Sequence, residues 1–173
     1  MNNNDLLVNR VNQSSLITLK LEDLYPESEI FEFDLKDYLF HGLILKELDF
    51  RKALKEHNWE AYKNGYLTVF CSTDAIIPTW AYMLVASHAG GFARDVVFGT
   101  KSEFLRNYFH QKIKQINPEE YRDAKLVIKG CSEKEVPASA YLDITQHLKN
   151  VASSIMFGEA CSTVPVYKRK TEK

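Results

Sequence analysis

The first patterned stretch of the chain is an alternation. Across residues 16–21, Leu16, Thr18 and Lys20 alternate with Ile17, Leu19 and Leu21, which predicts a strand with one buried face. Tyr25-Pro26-Glu27-Ser28 reads as a turn, and Ile30-Phe31-Glu32-Phe33-Asp34-Leu35 as a second strand. Their short connection predicts an antiparallel pair. Residues 37–45 are rich in large apolar side chains broken by Gly42 and follow neither period. From Lys46 the spacing lengthens, and Leu45, Leu48, Ala53 and Leu54 predict a helix reaching about Trp59. Asn64-Gly65 then turns the chain.

The rest is more regular. Residues 66–70 read as a buried strand, 78–89 as a helix whose inner face holds Ala81, Leu84, Val85 and His88, and 95–98 as a short strand. Gly90-Gly91 ends that helix. Ser102 is expected to cap the next one, with Leu105, Tyr108, Phe109, Ile113 and Ile116 on its face and Asn117-Pro118 as its stop. Residues 119–123 read as an exposed turn, and 125–129 as another strand. Pro137 opens the longest predicted helix, with Tyr141, Ile144, Leu148, Val151 and Ile155 at helical spacing and Gly158 as its end. Residues 160–167 look extended. Strand and helix alternating after a β-rich, antiparallel start imply an α/β fold: a mostly parallel central sheet with helices on its faces.

Length and composition narrow this further. A chain of 173 residues, 45% hydrophobic and 26% charged, suits one well-buried domain, residues 1–173, with flexible ends at about 1–12 and 168–173. A formal net charge of -1 gives no pull toward nucleic acid or an anionic membrane. Lys168, Arg169, Lys170 and Lys173 read as a solvated tail. The first residues, Met1-Asn2-Asn3-Asn4-Asp5, do not resemble a secretory signal, and no apolar run approaches the ~20 residues that span a bilayer. A cytoplasmic location is therefore expected, where a structural disulfide is disfavoured.

That expectation turns attention to the three cysteines, which share a local grammar. Cys71-Ser72 runs on to Pro78, Ala81 and Tyr82; Cys131-Ser132 to Pro137, Ala140 and Tyr141; Cys161-Ser162 to Pro165 and Tyr167. The first two follow the C-terminal end of a predicted strand and precede a helix, the place where open α/β sheets bind ligands. A nearby helix N-terminus favours the thiolate, the form that attacks electrophiles or ligates metals. Cys71, Cys131 and Cys161 are thus candidate metal ligands for zinc or an iron–sulfur cluster, with Ser72, Ser132 and Ser162 as hydroxyls beside the sulfurs. Asp74, Glu133, Glu135 and Glu159 are candidates for a fourth ligand. His88 reads better as a core-facing residue near a helix end, while His41, His57, His110 and His147 lack a second ligand at metal spacing. Trp59 and Trp80 read as packing residues. Gly90-Gly91 and Gly130 form no phosphate-binding fingerprint, and Asp143 and Glu159 form no obvious acid–base pair.

Four segments carry a family resemblance: residues 71–82 from Cys71-Ser72-Thr73-Asp74 to Trp80-Ala81-Tyr82, Pro118-Glu119-Glu120-Tyr121-Arg122-Asp123, Ile128-Lys129-Gly130-Cys131-Ser132 and Cys161-Ser162-Thr163-Val164-Pro165. Together they resemble a bacterial family known as domain of unknown function DUF2480, from Val8-Asn9-Arg10-Val11 over nearly the whole chain. The resemblance brings no activity with it. It implies genes close to those of iron–sulfur cluster assembly, and so protein partners in that process. The reading is therefore a metal-binding protein, an accessory in cluster assembly. Its rivals are a cysteine-dependent enzyme with Cys71 as nucleophile and Asp74 as acid–base group, and a noncatalytic interaction domain.

Overall fold

The structure is a computed structural model that describes residues 8–10, 16–130, 133–159 and 162–170. The chain is α/β with mostly parallel sheets, and its strands are divided between two of them. It forms two compact units, one nested in the sequence of the other: Pro26–Phe104, and the flanking Met1–Tyr25 with Leu105–Lys173.

The nested unit holds β3 (Ile30–Asp34), α1 (Glu47–Glu56), β4 (Tyr66–Phe70), α2 (Thr79–Ala89) and β5 (Asp95–Phe98). Its sheet runs β3-β4-β5, parallel throughout. The flanking unit holds β1 (Val8–Arg10), β2 (Leu16–Leu19), most of α3 (Lys101–Lys114), β6 (Lys125–Ile128), α4 (Ala138–Leu148), β7 (Ser154–Glu159) and β8 (Ser162–Lys168). Its sheet runs β1-β2-β6-β7-β8, parallel at β2-β6-β7 and antiparallel at both edges. Among the described residues no helix is long and apolar enough to cross a membrane.

Central parallel strands need apolar runs, because crossover helices bury them. Leu67 and Val69 in β4, and Leu126, Val127 and Ile128 in β6, are buried accordingly. On the helices, Phe50 and Leu54 of α1, Ala81, Val85 and Ala89 of α2, Phe109 and Ile113 of α3, and Ala140, Ile144 and Leu148 of α4 are buried at helical spacing. Leu84 and His88 are half-buried, and His88 stacks on Trp59, which stacks in turn on Phe33. Trp59 satisfies its indole N–H on the Leu54 carbonyl at 2.8 Å.

Several expectations are corrected. Residues 16–21 and 30–35 do not pair with each other: β2 lies parallel to β6, and β3 parallel to β4, in separate sheets. Burying the apolar side chains of β4 and β6 outweighs the short local connection. The helix from Pro137 stops at Leu148, and Ile155 is a strand residue facing Leu126 in register. Val151 and Ile155 match the helical period, but the ladders to β6 and β8 claim the segment. Gly158, expected as a helix end, lies inside β7 at φ +127, where an added Cβ would sit 2.4 Å from the Ser162 carbonyl oxygen. The third helix is capped by Thr100, not Ser102. The Thr100 hydroxyl accepts from the Glu103 N–H at 3.3 Å while the Glu103 carboxylate accepts from the Thr100 N–H at 2.8 Å, a capping box. Residues 37–38 end the 3-10 turn Leu35–Tyr38, and residues 40–44 form a tight turn with His41 and Gly42 at positive φ and Phe40 bridged to Ile44. Lys168, expected in a solvated tail, pairs with Ser154 at the end of β8, and the Arg169 guanidinium binds the Asp123 carboxylate and the Val151 and Ala152 carbonyls.

The two units repeat one design at constant sequence separation. The 3-10 turn Trp59–Tyr62 before β4 matches Pro118–Tyr121 before β6, and each is followed by a residue at positive φ, Asn64 at 61° and Asp123 at 59°. Tyr66 pairs with Asp95 as Lys125 pairs with Ser154. The Arg94 N–H reaches the Gly65 carbonyl at 2.8 Å, and the Ser153 N–H reaches that of Ala124 at 2.8 Å. Pro78 and Pro137 are the N-caps of α2 and α4, and Gly99 and Gly158 follow the paired strand ends at positive φ.

The matched positions set up a stability test. Leu67→Ala and Leu126→Ala each remove a fully buried side chain from a central strand and should each cost about 2–5 kcal/mol in urea unfolding. A loss below about 1 kcal/mol at either would show that its core collapses around the gap.

Candidate functional site

In the nested unit, a wholly parallel sheet brings three strand ends to one edge. Asp34 ends β3 and Phe70 ends β4, facing each other in register, and Cys71 follows at once. The Asp34 carboxylate accepts from the Ser72 N–H and from the Lys36 N–H, each at 3.0 Å, and pairs with the Lys36 ammonium at 3.4 Å. Burial works to raise its pKa, but hydrogen bonds from the Ser72 hydroxyl and the Lys36 and Ser72 N–H groups prevail and hold it below the ordinary 3.8. Asp34 thus ties down the cysteine loop.

Cys71 is half-buried, and its sulfur lies 3.3 Å from the Thr73 hydroxyl. The hydroxyl beside the sulfur is therefore that of Thr73, while Ser72 turns to Asp34. Asp74 is exposed. Tyr82, in the first turn of α2, has its phenol pKa pushed up by burial and then by the neighbouring Cys71 charge, and its ring meets Phe98 edge-on at 5.1 Å.

In the flanking unit, β6 ends at Ile128 and its parallel neighbour β7 at Glu159. Cys131, Ser132 and Cys161 lie outside the described residues. Ser162 opens β8 as the cross-strand partner of Glu159. The loop after β6 is held much as the Asp34 loop is: the Glu133 N–H donates to the Glu22 carboxylate at 3.0 Å, and Lys129 pairs with Glu22 at 3.6 Å. Glu135 is exposed. One oxygen of Glu159 is buried and has no hydrogen-bond partner among the described residues. Among those residues no group of three or more His, Cys, Asp or Glu could hold a metal ion.

The remaining histidines have partners of other kinds. His57 sits between the hydroxyls of Tyr38 at 3.4 Å and Tyr62 at 2.8 Å, and burial lowers its pKa. His147 bonds the Ile116 carbonyl at 2.8 Å. His110 meets Asp143 at 3.0 Å, joining α3 to α4, a contact between residues far apart in sequence. Asp34 and Glu22 were likewise missed. Asp34 ends β3 and Glu22 lies in the 3-10 turn Leu21–Leu24 after β2, and nothing in their local sequence announces the loop each receives.

A family model described as a protein of unknown function (DUF2480) matches residues 5–169. No curated protein and no solved structure matches the chain.

The Asp34 anchor carries a pH signature. A carboxyl with a depressed folded pKa stabilises the fold fully above its unfolded value near 3.8, and that contribution is lost as pH falls through the folded value. Asp34→Ala should cost about 1–2 kcal/mol near neutral pH, for two bonds to a charged acceptor. Urea titrations at about pH 7 and about pH 3 should show the gap to wild type closing in acid. An undiminished gap would mean that the ionised carboxylate is not the anchor.

Proposed function

The chain belongs to the DUF2480 family of proteins of unknown function, and we propose that it binds a metal ion through cysteine thiolates, with Cys131, Cys161 and Glu159 among the ligands. The orphaned Glu159 oxygen carries this reading. A buried carboxylate oxygen without a donor costs roughly 1–3 kcal/mol or more, and a cation removes that cost. Strand order supports the same grouping. β6 and β7 are parallel neighbours, so the chain leaves the sheet at one edge shortly before Cys131 and again shortly before Cys161. A mixed set of sulfur and carboxylate oxygen suits zinc, whereas iron–sulfur clusters favour thiolates alone. Bound zinc would join the two loops and supply a fixed positive charge at that edge.

Elemental analysis of full-length protein purified without oxygen tests the proposal. About one zinc per chain is expected, with loss of most of it in Cys131→Ser, Cys161→Ser and Glu159→Gln. Cys71→Ser in the same assay decides whether the third cysteine takes part. Iron with matching sulfide would replace zinc by a cluster and point toward cluster assembly. Metal-free wild type, or metal retained in both Cys131→Ser and Cys161→Ser, would overturn the reading.

A further inference from the structure

The flanking unit holds a cavity of about 500 Å³ lined by Gly130, Lys134, Val136, Ala138, Tyr141 and Phe157. It opens where β6 and β7 end and α4 begins, and its size is that of a small-molecule site. We propose that it binds a small organic anion, with the acidic group at Lys134 and the apolar body against Tyr141 and Phe157. The proposal goes beyond the metal reading and does not depend on it.

Three observations carry it. The aromatic pair forms a right-angled corner, with centroids 5.6 Å apart and planes at 79°. Gly130 makes the floor: a Cβ there would lie 2.8 Å from the tip of the Phe157 ring and would push the ring from its place. Among the described residues of the lining Lys134 is the charged one, and its ammonium lies 5.5 Å from the Tyr25 ring centroid. The same aromatic pair lines a second, largely apolar pocket of about 370 Å³ with Ile128, Leu142, Ile155 and Val166. One acidic group and a flat apolar body match this division.

The repeat supplies an internal control. The nested unit has the corresponding corner, Tyr82 and Phe98 at 5.1 Å, but Ala75 stands at the place of Lys134 and Cys71 at that of Gly130. Phe98 is 73% exposed there, against 40% for Phe157. One copy of the design keeps a side chain at the floor position, and the other replaces it with space and a cation.

The fluorescent aromatic anion anilinonaphthalene sulfonate, titrated into the full chain, tests this. One saturable site is expected, weakened about tenfold by Lys134→Gln and abolished by Gly130→Ala. Phe98→Ala should leave it unchanged. Phenyl phosphate should displace the probe, while inorganic phosphate or toluene alone should not. No saturable binding would overturn the proposal. So would binding indifferent to Lys134→Gln, a surface change that leaves the fold intact, or binding lost equally in Phe98→Ala.

Discussion

Parallel pairing of the last two strands in each unit is the constraint from which the other features follow. β4 with β5, and β6 with β7, run in matching register, and parallel neighbours can be joined only by a crossover that returns the chain to its starting edge. Helices α2 and α4 are those crossovers. Their apolar faces cover the strands, and their N-termini, set by Pro78 and Pro137, stand at the strand ends. The cysteine loops fill the gap between strand end and helix start. Side chains there are not committed to the core, because the backbone has just left its ladder.

The repeat separates what the frame needs from what each site adds. Buried positions agree in both copies: Leu67 with Leu126, Ala81 with Ala140, Val85 with Ile144. So do the positive-φ residues that turn the chain into and out of the parallel pair. Differences gather at the sheet edge, where the nested unit presents a half-buried thiol beside Tyr82 and the flanking unit presents Gly130, Lys134 and the settled Phe157 ring. The carboxylates of Asp34, at the end of β3, and Glu22, in the 3-10 turn after β2, hold the two loops by accepting backbone N–H groups. Side chains at these edges can differ between the copies without disturbing either core.

Local chemistry made much of this legible. The strands at 66–70 and 95–98 and the start of the helix after Pro78 were readable because apolar runs, an Asn-Gly turn and a helix-initiating proline act within a few residues. The helix-opening prolines Pro78 and Pro137 were the visible trace of the repeat, whereas the Cys-Ser pairs before them lie one residue out of its register. Where the reading failed, a local rule competed with a distant partner. Val151 and Ile155 fit a helix until β6 offers a ladder, and a short connection favours a hairpin until β4 and β6 offer largely buried neighbours.

By itself, then, the sequence determined most element types, the main apolar faces and the loops that carry cysteine, since periodicity and turn residues are properties of neighbours along the chain. Only the tertiary structure decided that the strands divide into two sheets, that one unit is nested in the sequence of the other, and that Asp34 and Glu22 hold the loops they do. Those are relations between residues tens of positions apart. They are fixed by which strands pair and what that pairing buries, and no short window of sequence contains both partners.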